Sequence, residues 1–520
     1  MQHLWHQSPH NCRGALLADD MGLGKTIQLL TFIAQAIEAQ PDRAPFLIVA
    51  PVSLLENWKE EINKFFAPGA MRVLTLYGPT LAQKRVPKWA LDAELRAGGV
   101  TRLLADGWRA DAHIVLTTYE TLRDLEFSLA AQRWSAMVCD EAQKIKNPNA
   151  LVTRAAKKQN ARFRIACTGT PVENTLTDIW CLFDFVQPGL LGALKEFGGR
   201  YRKPIEAETE DEKERVKELQ VLIAPQLLRR TKAEVAKDLP KKIEVEACRR
   251  LPLSALQRTH YANVIENFRK RTKTGSGSGL DSPLGLLHYL RRLCSDPRPP
   301  GHVSNNSEPL TDIEQHSPKM AWLMEQLRAI EAKSEKAIVF CEFRDLQRTL
   351  QRCIGERFGM VPFVINGDTS VNSANANNRQ GRIHQFQSKP GFGVIVLSPL
   401  AVGFGVNIQA ANHVIHFTRH WNPAKEDQAT DRAYRIGQTK DVYVYYPVVM
   451  ASDFMTFDAK LDKLLDRKRA LSADMLNGSG DVSPSDFGDL EAPDGGNAFG
   501  NELLDADDIG SMDSDAFEAF

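Results

Sequence analysis

The first third of the chain alternates short apolar runs with stretches of helical periodicity. GALLA (14–18), FLIVA (46–50), HIVLT (113–117), AMVC (136–139) and RIAC (164–167) are unbroken apolar runs, not in–out alternations. A strand buried on both faces needs that kind of run, and helical segments lie between several of these. The pattern predicts a parallel α/β sheet. Residues 186–330 read differently. They are charged and mostly helical in pattern, as in EAETEDEKERVKELQVLIAPQLLRR (206–230), and include a flexible GSGSG (275–279) and a Pro/Asn/Ser-rich stretch, DPRPPGHVSNNSEP (296–309). The α/β signal returns in KAIVFC (336–341), FVIN (363–366), GVIVLS (393–398), HVIHF (413–417) and VYVYYPVV (442–449). Two comparable α/β halves joined by a helical middle is the architecture this predicts. From 477 onward, Gly, Asp and Ser with few large apolar residues predict a disordered tail.

Composition narrows the picture at a few points. The 520 residues are 43% apolar and 25% charged, as in ordinary globular protein. The longest apolar stretch, FLIVAPVSLL (46–55), is too short to span a bilayer and holds a proline. No basic n-region followed by an apolar h-region stands at the start of the sequence, so a secretory signal is not expected. Eight scattered cysteines without a C-x-x-C pair argue against zinc ligation and a disulfide framework, and fit a reducing cytosol. The net charge of zero hides an asymmetry: residues 477–520 hold twelve Asp/Glu and no Lys or Arg, which leaves the rest of the chain with a surplus of 12 positive charges. A basic body with an acidic tail points to a polyanionic partner, the tail serving to solubilise the chain or to mimic that partner.

Candidate chemistry sits where each predicted strand of the first half ends. The successive junctions are DDMGLGKT (19–26), PVSLLENW (51–58), TYETL (118–122), DEAQKIKN (140–147) and TGTPVEN (168–174). In open parallel sheets, ligands bind beyond the carboxyl ends of the strands. DDMGLGKT matches the phosphate-binding pattern G-x-x-x-x-G-K-[ST] except that Asp19 stands where the first Gly belongs. Along Asp20, Met21, Gly22, Leu23 and Gly24, backbone N–H groups and the following helix N-terminus would cradle phosphate, with Lys25 reaching the β- and γ-phosphates and the Thr26 hydroxyl on Mg²⁺. Asp140, ending an apolar strand, suits the second Mg²⁺ ligand. Glu141 is placed to orient and deprotonate an attacking water. In HWNPAKEDQATDRAYRIGQ (420–438), Asn422 predicts an N-cap, Pro423 a first turn and Gly437 a stop. Gln428, Arg432 and Arg435 would then share one helix face, and the arginines would stabilise charge on a transferred phosphoryl group.

Together these blocks resemble the Swi/Snf-type ATPases, the chromatin-remodeller branch of the superfamily-two helicases, over roughly residues 14–475. LADDMGLGKTIQ is similar to that family's motif I, where Asp in the first loop position is usual. LIVAPVSLLENWKEE (47–61), LTTYETL (116–122), DEAQKIKN and TGTPVEN resemble motifs Ia, Ib, II and III. LLRRTK (227–232) and LRRLCSDP (290–297) look like its signatures between the lobes. KAIVFCEF (336–343), LSPLAVGFGVNIQAANHVIHF (397–417) and WNPAKEDQATDRAYRIGQ (421–438) resemble motifs IV, V and VI. Motif V reads VGFGVN, retaining Gly403, Gly405 and Asn407.

The resemblance implies a RecA-like lobe over 1–185, helical insertions and linker over 186–330, a second RecA-like lobe over 331–455, a bracing helix over 456–476 and the acidic tail over 477–520. It implies ATP and Mg²⁺ as cofactors, with Gln143 and Gln428 beside the nucleotide and Gln143 and Thr170 linking hydrolysis to DNA. Ser53, Thr117, Thr168 and Ser398 would lie near the nucleic-acid backbone. The expected activity is an ATP-driven translocase on double-stranded DNA, bound without regard to sequence. The expected setting is the cytoplasm of a bacterium, at the nucleoid and away from membranes, with protein partners of a repair or phage-defence complex. Two alternatives stay open: a strand-separating helicase, and a nucleic-acid-binding scaffold with an impaired ATPase. The second is motivated by the family's adenine-reading L-R-x-Y-Q element, expected well upstream of motif I, whose front this chain, starting at Met1, is expected to lack.

Overall fold

The computed structural model describes residues 1–6, 12–87, 103–172, 175–206, 212–236, 238–272, 282–298, 308–369, 378–399, 407–472 and 482–499. The chain divides into two compact units, the first made of Met1–Asp238 and the second of most of the chain from Leu239 onward.

The first unit is built on a seven-stranded sheet. Its strands are β1 (Gly14–Leu17), β2 (Phe46–Val49), β3 (Val73–Leu76), β4 (Ile114–Thr117), β5 (Trp134–Asp140), β6 (Ala161–Cys167) and β7 (Leu227–Leu228), in the order β3-β4-β2-β5-β6-β1-β7. Every pairing is parallel. Alternate residues enter two separate cores, one on each face. Leu16, Leu47 and Val49 point into one; Ala15, Leu17, Phe46 and Ile48 point into the other. This two-sided burial is why the runs are continuous.

The second unit carries β8 (Lys242–Val245), β9 (Leu251–Pro252), β10 (Lys336–Phe340), β11 (Phe363–Ile365), β12 (Gly393–Leu397), β13 (His413–His416), β14 (Val442–Tyr445) and β15 (Val449–Met450). Six of them form a second parallel sheet, β11-β12-β10-β13-β14-β8, and β15 pairs with β9. Ala337 and Val339 enter one core while Ile338 and Phe340 enter another.

The two parallel sheets with flanking helices are as the sequence predicts. The stretch 186–330 departs from a purely helical linker: it supplies β7 at one edge of the first sheet and β8 at one edge of the second. Strand β7 is two residues long, and in β8 (KIEV) exposed and half-buried residues alternate. Neither has the double burial that made the other strands visible. The half-buried β3 escapes for the same reason.

The acidic tail also needs correction over its described part, residues 482–499. Val482, Phe487, Leu490, Ala492, Ala498 and Phe499 are buried in a core with Tyr261, Ile265, Phe268 and Phe457. Phe487 stacks on Phe457 at 4.9 Å between ring centroids and meets Trp421 edge-on at 5.9 Å. Asp494 pairs with Arg269, and Asp489 with Lys460. The apolar side chains are few but all enter one core, and the acids find basic partners on neighbouring helices. Composition averages over both effects. The eight cysteines are free and buried. Among the described residues no helix is long and apolar enough to cross a membrane.

Candidate functional site

Strands β5, β6 and β1 are adjacent and parallel, so the loops that follow them leave the same edge of the first sheet. After β1 the backbone turns through left-handed conformations at Gly22 (φ 86°) and Gly24 (φ 71°), then enters the helix Lys25–Ala39. Those angles suit glycine, and they let the loop's N–H groups precede a helix N-terminus as anion binding requires. The Lys25 ammonium donates to the carbonyls of Asp19 (2.7 Å) and Asp20 (3.2 Å). The loop after β6 comes so close that a Cβ on Gly169 would lie 2.7 Å from Met21 Cγ and 3.7 Å from Lys25 Nζ. A larger residue here would force the Met21 side chain to shift, so glycine suits this approach of TGT to the phosphate loop.

From the end of β5, Asp140 and Glu141 emerge with different surroundings. Asp140 is buried; its Oδ2 accepts the Trp58 indole N–H at 2.9 Å, its Oδ1 accepts the Glu141 N–H at 3.1 Å, and its carbonyl accepts the Tyr119 hydroxyl at 2.7 Å. Burial pushes its carboxyl above the usual range, opposed by the Trp58 N–H and the charge of Lys25. Glu141 takes a left-handed backbone (φ 53°), uncommon outside glycine and a frequent feature of functional turns. Its Oε2 accepts from Gln143 Nε2 at 2.8 Å, and Gln143 Oε1 accepts from the Thr168 hydroxyl at 2.8 Å. Thr168 in turn accepts the Thr170 N–H at 3.1 Å, while the buried Thr170 hydroxyl has no partner among the described residues. A continuous polar chain thus runs from Glu141 to the loop after β6.

Asp19, the departure from the strict phosphate-loop pattern, is fully buried. Its carboxylate accepts the Arg230 backbone N–H (3.0 Å), the Arg230 guanidinium through Nε (3.1 Å) and Nη2, and Gln28 Nε2 (3.1 Å). Asp20 joins in: its N–H donates to the Arg230 carbonyl at 3.0 Å, and its carboxylate accepts the Lys232 N–H at 2.9 Å. The aspartate replaces glycine because the loop is fastened to residues 230–232 just beyond β7.

In the second unit Asn422 is the N-cap as predicted, accepting the N–H groups of Ala424 and Lys425, with Pro423 opening the helix. The helix ends at Thr430, however, and does not reach Gly437. The Arg432 carbonyl accepts the Ile408 N–H, and the Ala433 carbonyl accepts Gln438 Nε2. The first bond is tertiary and the second comes from five residues further along the same segment; both engage carbonyls that a longer helix would need. Half-buried Gln428 is therefore on the helix, whereas buried Arg432 and half-buried Arg435 lie in the turns after it, not on a shared helix face. The helix is anchored by Glu426, which accepts from the Arg419 guanidinium, the His420 N–H and Arg469. Burial would raise its carboxyl, but the two arginines hold it far below the usual range.

The four expected backbone-phosphate contacts separate. Thr117 is fully buried with its hydroxyl on the Leu76 carbonyl, and Thr168 is 1% exposed with its hydroxyl on Gln143. Both hydroxyls donate inside the fold. Ser53 is half-buried in the first turn of the helix Val52–Phe65, and Ser398 follows β12 with 8% exposed. Of motif V, Asn407 is described and Gly403 and Gly405 lie outside the described residues. Trp58, Tyr119 and Arg230 had no assigned role in the sequence reading, although each sits within a quoted motif. A polar aromatic inside an apolar helix face was the available signal for Trp58.

The donor set fits Mg²⁺ bound chiefly by nucleotide phosphates and water, with one carboxylate and one hydroxyl from protein, Asp140 and Thr26. Among the described residues no group of three or more His, Cys, Asp or Glu converges, and a site of that type requires none.

The SNF2-related domain matches residues 1–299, and the helicase conserved C-terminal domain matches residues 318–437. The Zorya protein ZorD of Escherichia coli O139:H28 (strain E24377A / ETEC) is 55% identical over 493 residues, 94% of this chain and 45% of that protein. The uncharacterized ATP-dependent helicase MG018 of Mycoplasma genitalium is 34% identical, over 83% of this chain and 38% of that protein. The chain spans about half the length, or less, of the curated relatives it matches. Among solved structures, the Sulfolobus solfataricus SWI2/SNF2 ATPase core in complex with dsDNA is 32% identical, covering 92% of this chain and 91% of that one, with a TM-score of 0.40.

Proposed function

The chain belongs to the SNF2-related family, and on that premise we propose that it is the motor portion of an ATP-driven translocase on double-stranded DNA. ATP would bind at the loops after β1, β5 and β6. In this reading Mg²⁺, when bound, would supply positive charge that neutralises phosphate oxygens. Lys25 leaves the Asp19 and Asp20 carbonyls for the phosphates, and Thr26 and Asp140 hold the metal. Glu141 orients the attacking water and accepts its proton. Arg432 and Arg435, on the second unit, stabilise charge on the transferred phosphoryl group, an effect worth about 10³–10⁵ in rate where arginine fingers act.

The observation that carries the reading is the chain Glu141–Gln143–Thr168 beside Lys25. It puts the proposed base in hydrogen-bonded contact with the loop after β6, as coupled hydrolysis requires. Duplex DNA is the proposed partner, held through phosphates without base readout, which makes binding steeply salt-dependent. A bacterial cytoplasm and protein partners in repair or defence belong to the same proposal. The test is ATP turnover with and without blunt duplex DNA, together with displacement of a third strand from a triplex-bearing duplex. Stimulated turnover with displacement supports the proposal. Equal turnover with and without DNA in folded protein, or unwinding of a tailed duplex without displacement, overturns it.

A further inference from the structure

Trp58 and Tyr119 bond Asp140 from outside its own turn. Trp58, fully buried on the helix after β2, gives its one polar hydrogen to the Asp140 carboxylate. Tyr119, 3% exposed at the start of the helix Tyr119–Asp124 after β4, gives its hydroxyl hydrogen to the Asp140 carbonyl. Strands β4, β2 and β5 are neighbours in the sheet, so these helices leave the same edge as Asp140. Phenylalanine would fill most of the same apolar volume. What tryptophan and tyrosine add is a donor, and both donors meet one residue.

We propose that Trp58 and Tyr119 are positioning residues that link the outer ends of the helices after β2 and β4 to the orientation of the Asp140 carboxylate. The link rests on the proposed function, in which Asp140 is the Mg²⁺ ligand and the helix after β2 meets DNA. Ser53, in the first turn of that helix, is five residues from Trp58, about 7.5 Å along the axis. A phosphate gripping the Ser53 end shifts a rigid helix, and the indole N–H carries the shift to Oδ2. Because Oδ1 already accepts the Glu141 N–H, turning the carboxylate also changes the setting of the proposed base. A helix displacement on DNA binding becomes a change in how Asp140 presents its lone pairs to the metal and how Glu141 faces the nucleotide.

The experiment uses the full chain and the variants Trp58→Phe and Tyr119→Phe, each of which deletes a donor and keeps an aromatic ring. Three quantities are read: the Mg²⁺ concentration for half-maximal binding of a fluorescent ATP analogue, the ratio of turnover with duplex DNA to turnover without it, and the affinity for DNA. Trp58→Phe is expected to raise the Mg²⁺ requirement about tenfold, as loss of a bond to a metal ligand does. The same variant is expected to lower the DNA-stimulation ratio several-fold while DNA affinity holds. Tyr119→Phe, which leaves the carboxylate bond intact, is expected to lower the ratio with a smaller change in Mg²⁺ requirement, and it serves alone if Trp58→Phe does not fold. A purely structural role would lower the melting temperature and leave ratio and Mg²⁺ requirement unmoved; that result, in protein whose wild type is DNA-stimulated, overturns the link and spares the proposed function. A wild type without DNA stimulation overturns both.

Discussion

Replacing Asp19 by glycine would restore the strict phosphate-loop pattern, and the structure predicts that this repair damages the protein. Asp19 is fully buried and accepts four hydrogen bonds, three from Arg230 and one from Gln28. Asp19→Gly removes them all. The Gln28 amide keeps a second acceptor, the Leu23 carbonyl, so its loss is small. The Arg230 backbone N–H loses its acceptor, at about 1–3 kcal/mol where no water replaces it. The guanidinium loses a charge-assisted partner, but the Arg230 side chain is 40% exposed and returns largely to water, which limits this part to about 1 kcal/mol. Glycine adds about 0.5–1 kcal/mol through the freedom of the unfolded chain. Together the cost is about 2.5–5 kcal/mol for the first unit, a fall in its melting temperature of roughly 5–20 °C at this size.

Calorimetry of the full chain, with the first-unit transition assigned by hydrogen exchange of β1 and β7, measures that shift. Titration of a fluorescent ATP analogue measures what the loosened loop does to phosphate binding, which should weaken. Asp19→Asn keeps one acceptor oxygen and should fall between glycine and wild type. If Asp19→Gly melts at or above the wild-type temperature and binds nucleotide at least as well, the Arg230 contact does not hold the loop and this account of the departure from the pattern is wrong.

Glu141→Gln should retain nucleotide binding while turnover drops about 10²–10⁴-fold, the range for losing a general base; undiminished turnover in a steady-state ATPase assay would remove Glu141 from that role. Arg432→Ala and Arg435→Ala should each lower kcat by about 10³-fold with nucleotide affinity little changed, checked by the same assay and by equilibrium binding. Phe487→Ala should cost the second unit about 3–5 kcal/mol, because the ring is fully buried against Phe457 and Trp421; urea unfolding that shows no change would return this segment to an unstructured tail. In the second unit, burial lowers the imidazole of His416 to about 3, and burial with Arg291 lowers that of His288 to about 4, from the usual 6.5. Below pH 6.5 the unfolded chain takes up protons that the folded unit refuses. Stability from these groups is therefore full above pH 6.5 and falls as pH drops toward 3, by up to about 2.7 kcal/mol per pH unit. Urea midpoints across pH 4–7 measure this, and His416→Gln should roughly halve the slope.

The parts of this fold visible in the sequence are those whose cause is local. A strand buried on both faces is an apolar run, so β1, β2, β4, the middle of β5 and the last residues of β6 announce themselves, and the residues just past them are the candidates for chemistry because parallel strands end at one edge. Edge strands face water on one side and lose that signature, as β8 does with KIEV. The helix of motif VI shows the limit from the other direction. Its start was legible because an N-cap is made by the residue itself. Its end was not, because the Arg432 carbonyl is taken by the Ile408 N–H, which arrives from elsewhere in the fold, while the Gln438 side chain takes the Ala433 carbonyl. Local periodicity put Arg432 and Arg435 on a helix that these hydrogen bonds stop short.

The same distinction separates the groups of the site from what holds them. Lys25, Thr26, Asp140 and Glu141 follow one another along short motifs, and under the proposed function their types answer to phosphate, metal and water. Their supports lie 82 residues away for Trp58 on Asp140 and 211 residues away for Arg230 on Asp19. No spacing rule connects such pairs; each becomes necessary only once the sheet order brings β2 beside β5 and β7 beside β1. A buried carboxylate must still have its lone pairs engaged. A carboxylate placed where a phosphate loop expects glycine therefore signals a distant donor before that donor can be named. Arg230 meets that requirement, and its position just past β7 ties the phosphate loop to the last strand of the first unit's sheet. A disturbance of residues 230–232 should thus reach nucleotide binding without touching any phosphate-contacting residue. Arg230→Met, measured against Arg230→Lys, is the comparison in which the lysine recovers nucleotide affinity if charge at Asp19 governs the loop, and fails to recover it if only the forked guanidinium geometry does.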